Sequence, residues 1–221
     1  MDNLNNMLKS GAGEMGLTLS NEQLHKLRGY VDLLMKWNRV YNLTAVRNPE
    51  EMISRHILDS LSVLPYVESS IKAGGRLIDI GSGPGLPGIP LAIMLPDGDI
   101  STLDCVGKKT RFQVQVCTEL GLDNVTVLNQ RVENWRPEQG YDCVISRAFS
   151  SLRDMIVGTD HLLRSSGQWL AMKGIHPEEE LEELKELRPD VVMTASHSLQ
   201  VASCDGQRHL VILERMDIAQ N

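Results

Sequence analysis

The chain has 221 residues, 42% of them apolar, and a formal net charge of −7, which suits one large domain with an appendage, burying roughly 70 to 75% of its unfolded surface. No apolar run reaches the length of a membrane span, the opening MDNLNNMLKS lacks a charged-then-apolar leader, and the four cysteines (Cys105, Cys117, Cys143, Cys204) show neither C-x-x-C spacing nor histidine partners; a membrane protein, a disulfide scaffold and a metal site are disfavoured. The expectation is a cytoplasmic monomer with no metal, no membrane contact and no obligate protein partner.

Ser20 with Gln23 forms a capping box, and Leu24, Leu27, Val31 and Leu34 recur at helical spacing, predicting an amphipathic helix to about Asn38. A second helix opens at Asn48-Pro49 and carries Met52, Ile53, Ile57, Leu58, Leu61 and Leu64 on its inner face; it is expected to end before Pro65. Residues 1–73 therefore read as a helical N-terminal extension, and residues 74–221 as the main globular unit.

After Gly74-Gly75 short apolar runs alternate with helical stretches. Strands are expected at 76–80, 99–104, 125–129, 141–146 and 168–173, and helices at 87–95, 107–120, 151–164 and 177–188. This alternation predicts a doubly wound α/β fold with a mostly parallel sheet. The end differs: VVMTASHSLQV and RHLVILERM are two strand candidates joined by ASCDGQ with no helix between them, so the sheet is expected to have seven strands and to close with an antiparallel hairpin. Charge is unevenly spread, because residues 174–221 carry 4 basic and 10 acidic groups and supply six of the seven net negative charges. The acidic helix 178–186 is expected to face solvent, leaving a near-neutral body on which a local basic face can exist.

The stretch DIGSGPGLPGIP, Asp79 to Pro90, places four glycines between the first strand and its helix. Such glycines permit positive φ and close approach of a ligand to the backbone. Gly83-x-Gly85-x-x-Gly88 satisfies the dinucleotide fingerprint, and Asp79 followed by Gly81-x-Gly83-x-Gly85 equally satisfies the pattern of S-adenosylmethionine (SAM) enzymes; a purely structural turn is a third reading. Asp104, at the end of the second strand and about 20 residues beyond the loop, is placed to accept the ribose hydroxyls of a nucleoside cofactor. The chain offers no catalytic set for hydride transfer.

The segments YNLTAVRNPEEM, RHILDSL, DIGSGPGLPGIPLAI, LDCVGKKTRF, RVE, VISRAF and GQRHLVI, in this order between residues 41 and 212, resemble the RsmG (GidB) family of bacterial methyltransferases for small-subunit ribosomal RNA. The resemblance implies a class I SAM-dependent methyltransferase fold and methylation of N7 of one guanine in 16S rRNA. It places Gly81, Leu86, Val132, Glu133 and Arg147 at the SAM site, beside Asp79, Gly83, Gly85 and Asp104 from the loop pattern. Guanine N7 carries an in-plane lone pair and no proton, so the reaction needs alignment and exclusion of water, with no general base; Arg147 is the candidate positioning residue. The Asn/Asp-Pro-Pro-aromatic pattern of exocyclic-amine enzymes and the cysteine beside proline of pyrimidine-C5 enzymes are both absent from this place in the sequence. Expected RNA contacts are Arg47, Arg55, Lys108, Lys109, Arg111 and Lys173, with small-subunit rRNA or the small subunit as partner. The alternatives are an NAD(P)-linked oxidoreductase, disfavoured by the terminal hairpin, and a non-catalytic ribosome-associated protein.

Overall fold

The computed structural model describes residues 2–72 and 74–216. It opens with a helix that the periodicity had not marked, α1 (Asp2–Glu14), which buries Leu8 and Ala12. A β-carbon on Gly11 would collide with a methyl of Leu58, so the missing side chain lets α1 lie close against the segment behind it. The capping box starts α2 (Asn21–Tyr41): Gln23 N–H donates to Ser20 Oγ at 3.1 Å, and Ser20 N–H to Gln23 Oε1 at 2.9 Å. It runs one turn beyond Asn38 and ends at Asn42, which adopts the left-handed conformation at φ 48° that asparagine tolerates better than most residues.

The single helix expected from Asn48 is instead divided. Asn48 Oδ1 caps α3 (Pro49–Met52), a π-helical stretch covers Ile53–Leu58, α4 spans Asp59–Leu61, and α5 occupies Leu64–Lys72. Pro65 lies in the first turn of α5, where its missing N–H is not needed. It begins a helix there and does not stop one. The wider π turn, a feature often found at functional sites, buries His56, and Asp59 is buried directly after it at the start of α4.

The sheet has the order β3-β2-β1-β4-β5-β7-β6. Its members are β1 (Arg76–Ile80), β2 (Asp99–Asp104), β3 (Val125–Asn129), β4 (Tyr141–Ser146), β5 (Leu163–Lys173), β6 (Val191–Ser198) and β7 (His209–Arg215). All neighbours are parallel except β7, which is antiparallel to both β5 and β6. The crossover helices are α6 (Gly88–Met94), α7 (Gly107–Leu120), α8 (Leu152–Thr159) and α9 (Glu178–Leu187).

Two boundaries depart from the expectation. The helix predicted over 151–164 stops at Thr159 and passes through a 3-10 turn, and β5 already begins at Leu163. Distant cations hold that turn: Arg215 donates to the Asp160 carbonyl at 2.7 Å and to its carboxylate at 3.0 Å, and Arg188 reaches the same carboxylate at 3.1 Å. The hairpin connection is also longer than ASCDGQ, running over residues 199–208 and closed by Leu199 N–H to the Arg208 carbonyl at 2.7 Å.

Leu8, Leu27, Val31, Leu34, Met52, Ile53 and Ile57 pack into one core cluster with Leu86, Ile89, Ile93, Phe112 and Val116 from the loop, α6 and α7. The N-terminal helices thus cover one face of the sheet's helical layer. Ile78, Ile80, Val144 and Trp169 pack under α8 and α9, while Leu77, Ile100 and Ile145 pack under α5 and α6.

Candidate functional site

The site lies at the carboxyl ends of β1, β2 and β4, where ligands collect in open parallel sheets. Gly81, Gly83 and Gly85 have φ of 68°, 61° and 96°, a region where side chains are strained. A β-carbon on Gly81 would lie 2.6 Å from that of Ala148, and one on Gly85 would strike the Ile89 side chain. The loop is held from three directions. Gly83 N–H donates to Asp104 Oδ2 at 2.9 Å. Gln113, fully buried on α7, donates to Ser82 Oγ at 2.9 Å and to the Gly83 carbonyl at 2.7 Å, while accepting from Thr102 Oγ1 at 2.5 Å. From the outside, Tyr30 Oη donates to the Pro84 carbonyl at 2.9 Å.

Asp79 is fully buried beneath this loop. Its Oδ2 accepts from Gly88 N–H at 2.8 Å, whereas Oδ1 has no partner. Burial pushes the carboxyl up to about 7, opposed by the Gly88 N–H and by the positive charge of Arg147.

A first cleft of about 350 Å³ opens beside the loop, lined among others by Gly81, Asp104, Lys109, Val132, Glu133 and Phe149. Asp104 Oδ1 accepts from Val106 N–H at 2.8 Å, and its Oδ2 lies 3.7 Å from Lys109 Nζ as well as on Gly83. Both oxygens are therefore oriented by backbone donors, with lone pairs to spare for hydroxyl groups.

A second cleft of about 310 Å³ is lined by Arg55, His56, Asp59, Arg147, Lys173 and Arg208, with Val46 and His209 among its further walls. Ser146 Oγ donates to the Ile80 carbonyl at 2.7 Å and accepts from Ala148 N–H at 3.0 Å, which fixes the turn that puts Arg147 in this cleft and Ala148 in the first. Asp59 Oδ2 accepts from Arg147 Nη1 at 2.6 Å, and Oδ1 from Arg208 Nε at 3.1 Å. Desolvation first, then the Arg147 charge, holds the His56 imidazole down at about 4, so the ring is neutral at neutral pH. Its Nδ1 donates to the Arg55 carbonyl at 3.0 Å, leaving Nε2 to accept from Thr44 Oγ1 at 2.9 Å.

Residues 23–211 match the family described as rRNA small subunit methyltransferase G, GidB. The chain belongs to this family. It is 52% identical over 208 residues, 94% of each chain, to the Ribosomal RNA small subunit methyltransferase G of Pseudomonas syringae pv. syringae strain B728a, and 53% identical over the same shares to that of Ectopseudomonas mendocina strain ymp. Among solved structures it is similar to a ribosomal protein L11 methylase from Lactobacillus delbrueckii subsp. bulgaricus, with TM-score 0.54 and 14% identity over 72% of this chain and 76% of that one, a likeness of fold alone. The strand order with an antiparallel seventh strand is that of class I SAM-dependent methyltransferases. As a family member the protein methylates small-subunit (16S) ribosomal RNA with SAM as donor, which sets aside the oxidoreductase and the non-catalytic alternatives.

In this family member the residues expected at the cofactor fall into two groups. Gly81, Asp104, Val132 and Glu133 line the first cleft. Asp79 is sealed beneath the loop, Leu86 packs into the core shared with the N-terminal helices, and Arg147 lines the neighbouring cleft. Gly83 and Gly85 shape the loop without lining either cleft. A positive-φ cradle closed by Ala148 and, beside it, a cleft walled by Val132 and Phe149 with the Asp104 and Glu133 carboxylates fit SAM in shape and acceptor chemistry.

The expected basic face is divided. Lys108 Nζ donates to the Tyr41 carbonyl at 2.8 Å and so caps α2, Lys109 faces the first cleft, and Arg111 Nε bonds Gly107 of its own helix at 3.1 Å. Arg47 reaches Asn42 at 3.5 Å and Arg55 pairs with Glu51 at 3.2 Å. Lys173 is held by Glu180 at 2.8 Å and by the Ser150 carbonyl at 3.4 Å. The acidic helix therefore does not face wholly away: Glu180 also accepts from Leu152 N–H at 2.6 Å and latches α8. Sequence reasoning missed Tyr30, Gln113, Asp59 and Arg208. The last two lay inside the segments RHILDSL and GQRHLVI, but nothing in either segment says that the two side chains meet.

Proposed function

We propose that the protein methylates N7 of a guanine in small-subunit rRNA, acting in the cytoplasm on the rRNA or the subunit that carries it. The observation that carries this reading is the state of Asp59, the carboxylate that lines the second cleft: each of its oxygens is taken by a guanidinium, so it is not free to abstract a proton. An acceptor with a lone pair and no proton needs no such base. His56, neutral and with both nitrogens engaged, supports the same conclusion.

SAM supplies an electrophilic methyl group when bound. Gly81 gives it close backbone approach, Asp104 accepts from its ribose, Val132 and Glu133 wall the adenosine side, and Arg147 fixes its position at the junction of the two clefts. Asp79, Gly83, Gly85 and Leu86 act one layer behind by setting the loop. Arg55 and Lys173, with Arg47, Lys108, Lys109 and Arg111 further out, supply positive charge toward an RNA backbone. Residues 1–73 act as a helical cap on the methyltransferase unit of residues 74–221.

The test is incubation of the protein with labelled SAM and small subunits lacking the modification, followed by mapping of the labelled nucleotide. Label on a guanine that becomes sensitive to borohydride and aniline, as N7-methylguanine does, is the expected result. Label on an exocyclic amine or on a pyrimidine would overturn the N7 assignment.

A further inference from the structure

We propose that Asp59 and Arg208 are positioning residues that act through Arg147, making the β6–β7 connection part of the cofactor site. The proposal rests on the reading that Arg147 contacts SAM. Arg208 uses all three guanidinium nitrogens within the protein: Nε on Asp59 Oδ1 at 3.1 Å, Nη1 on the Gln207 carbonyl at 2.8 Å and Nη2 on Cys204 Sγ at 3.4 Å. These contacts hold Arg208 as an anchor for Asp59. Asp59, 5% exposed, takes that anchor on one oxygen and Arg147 Nη1 at 2.6 Å on the other. The remaining N–H groups of Arg147 have no protein partner among the described residues.

One edge of the Arg147 guanidinium is thus pinned and the other is left for a ligand. The pin joins three places distant in the chain: α4, the turn after β4 and the strap before β7. A planar donor fork that is already oriented loses less freedom when it binds. Burying a carboxylate between two cations is a weak way to gain stability, whereas it is an effective way to fix the angle of a guanidinium. The positive charge of Arg147 also bears on His56 and Asp79, secondary to burial in both.

Calorimetric titration of the full chain with S-adenosylhomocysteine, the unreactive product, tests the relay in Arg147→Gln, Arg208→Gln and the double variant. Arg147→Gln is expected to weaken binding about tenfold, the scale of a hydrogen bond to a charged group. Arg208→Gln should weaken it by a smaller factor, and Arg208→Lys, which returns a charge to Asp59, should recover part of the loss. The double variant should bind no worse than Arg147→Gln alone, because the second change has nothing left to act through. Losses that multiply in the double variant, or unchanged affinity in Arg208→Gln, would overturn the relay while leaving the methyltransferase reading intact. A parent protein that does not bind the product would instead sink that reading. If Arg208→Gln does not fold, the near-isosteric Asp59→Asn takes its place in the same cycle.

Discussion

Tyr30 and Pro84 meet through one hydrogen bond, Tyr30 Oη to the Pro84 carbonyl at 2.9 Å, and through it a helix near the start of the chain holds the glycine loop of the sheet. Tyr30 is fully buried, so its hydroxyl requires a partner. Tyr30→Phe is expected to lower stability by about 1 kcal/mol, read from urea denaturation, and to weaken product binding because the loop loses its outer restraint. Removal of residues 1–45 should have a larger effect, since it uncovers Ile89, Ile93, Phe112 and Val116; a truncated chain that keeps the parent's sharp unfolding transition would show that the helices are dispensable.

Gly81→Ala tests the cradle with the smallest possible change. The backbone at φ 68° costs an alanine about 1 to 2 kcal/mol, and the added β-carbon would sit 2.6 Å from that of Ala148. Cofactor affinity should fall steeply while the circular dichroism spectrum is retained. Affinity equal to the parent's would remove Gly81 from the site.

The buried Asp79 predicts a pH dependence of stability. Its folded carboxyl is pushed up to about 7 from an ordinary value of 3.8, so between those limits the folded state holds a proton that the unfolded state has released. The stability this group contributes is therefore complete below about pH 4 and is lost as pH rises toward about 7. Asp79→Asn removes the titration. Compared at matched pH from 4 to 8, the parent should lose stability relative to the variant across that window and run parallel to it above. Parallel curves throughout would mean that Asp79 is ionised in the folded protein at all these pH values.

Glu180 differs from its neighbours on the acidic helix. It accepts both from Lys173 at 2.8 Å and from Leu152 N–H at 2.6 Å, whereas Glu182 pairs only with Lys185 on the surface. Glu180→Ala should cost about 2 kcal/mol, in the range for hydrogen bonds to charged groups, and Glu182→Ala only about 0 to 0.5 kcal/mol. Chemical denaturation of the two variants side by side decides it, and equal effects would mean that the latch contributes nothing.

The local grammar of this chain was legible from its residues. The spacing of apolar positions, the Ser20 capping box and the alternation of short apolar runs with helical stretches placed β1 to β4, α2, α7 and the terminal hairpin, because hydrophobic periodicity and end-capping are properties of neighbours in sequence. The glycine loop announced a tight positive-φ turn for the same reason. Where prediction failed, long-range partners had decided the outcome. Arg188 and Arg215 end α8 at Asp160, and close packing of α1 on Leu58 recruits a weakly patterned segment into a helix. Three of the lysines expected at RNA also have acceptors within the protein, Tyr41, Asp104 and Glu180, which lie 67, 5 and 7 positions away from them. Asp59 and Arg208, 149 residues apart, carry no sign in the sequence of standing face to face, since a carboxylate shows its charge locally but its partner only after the sheet has closed between them.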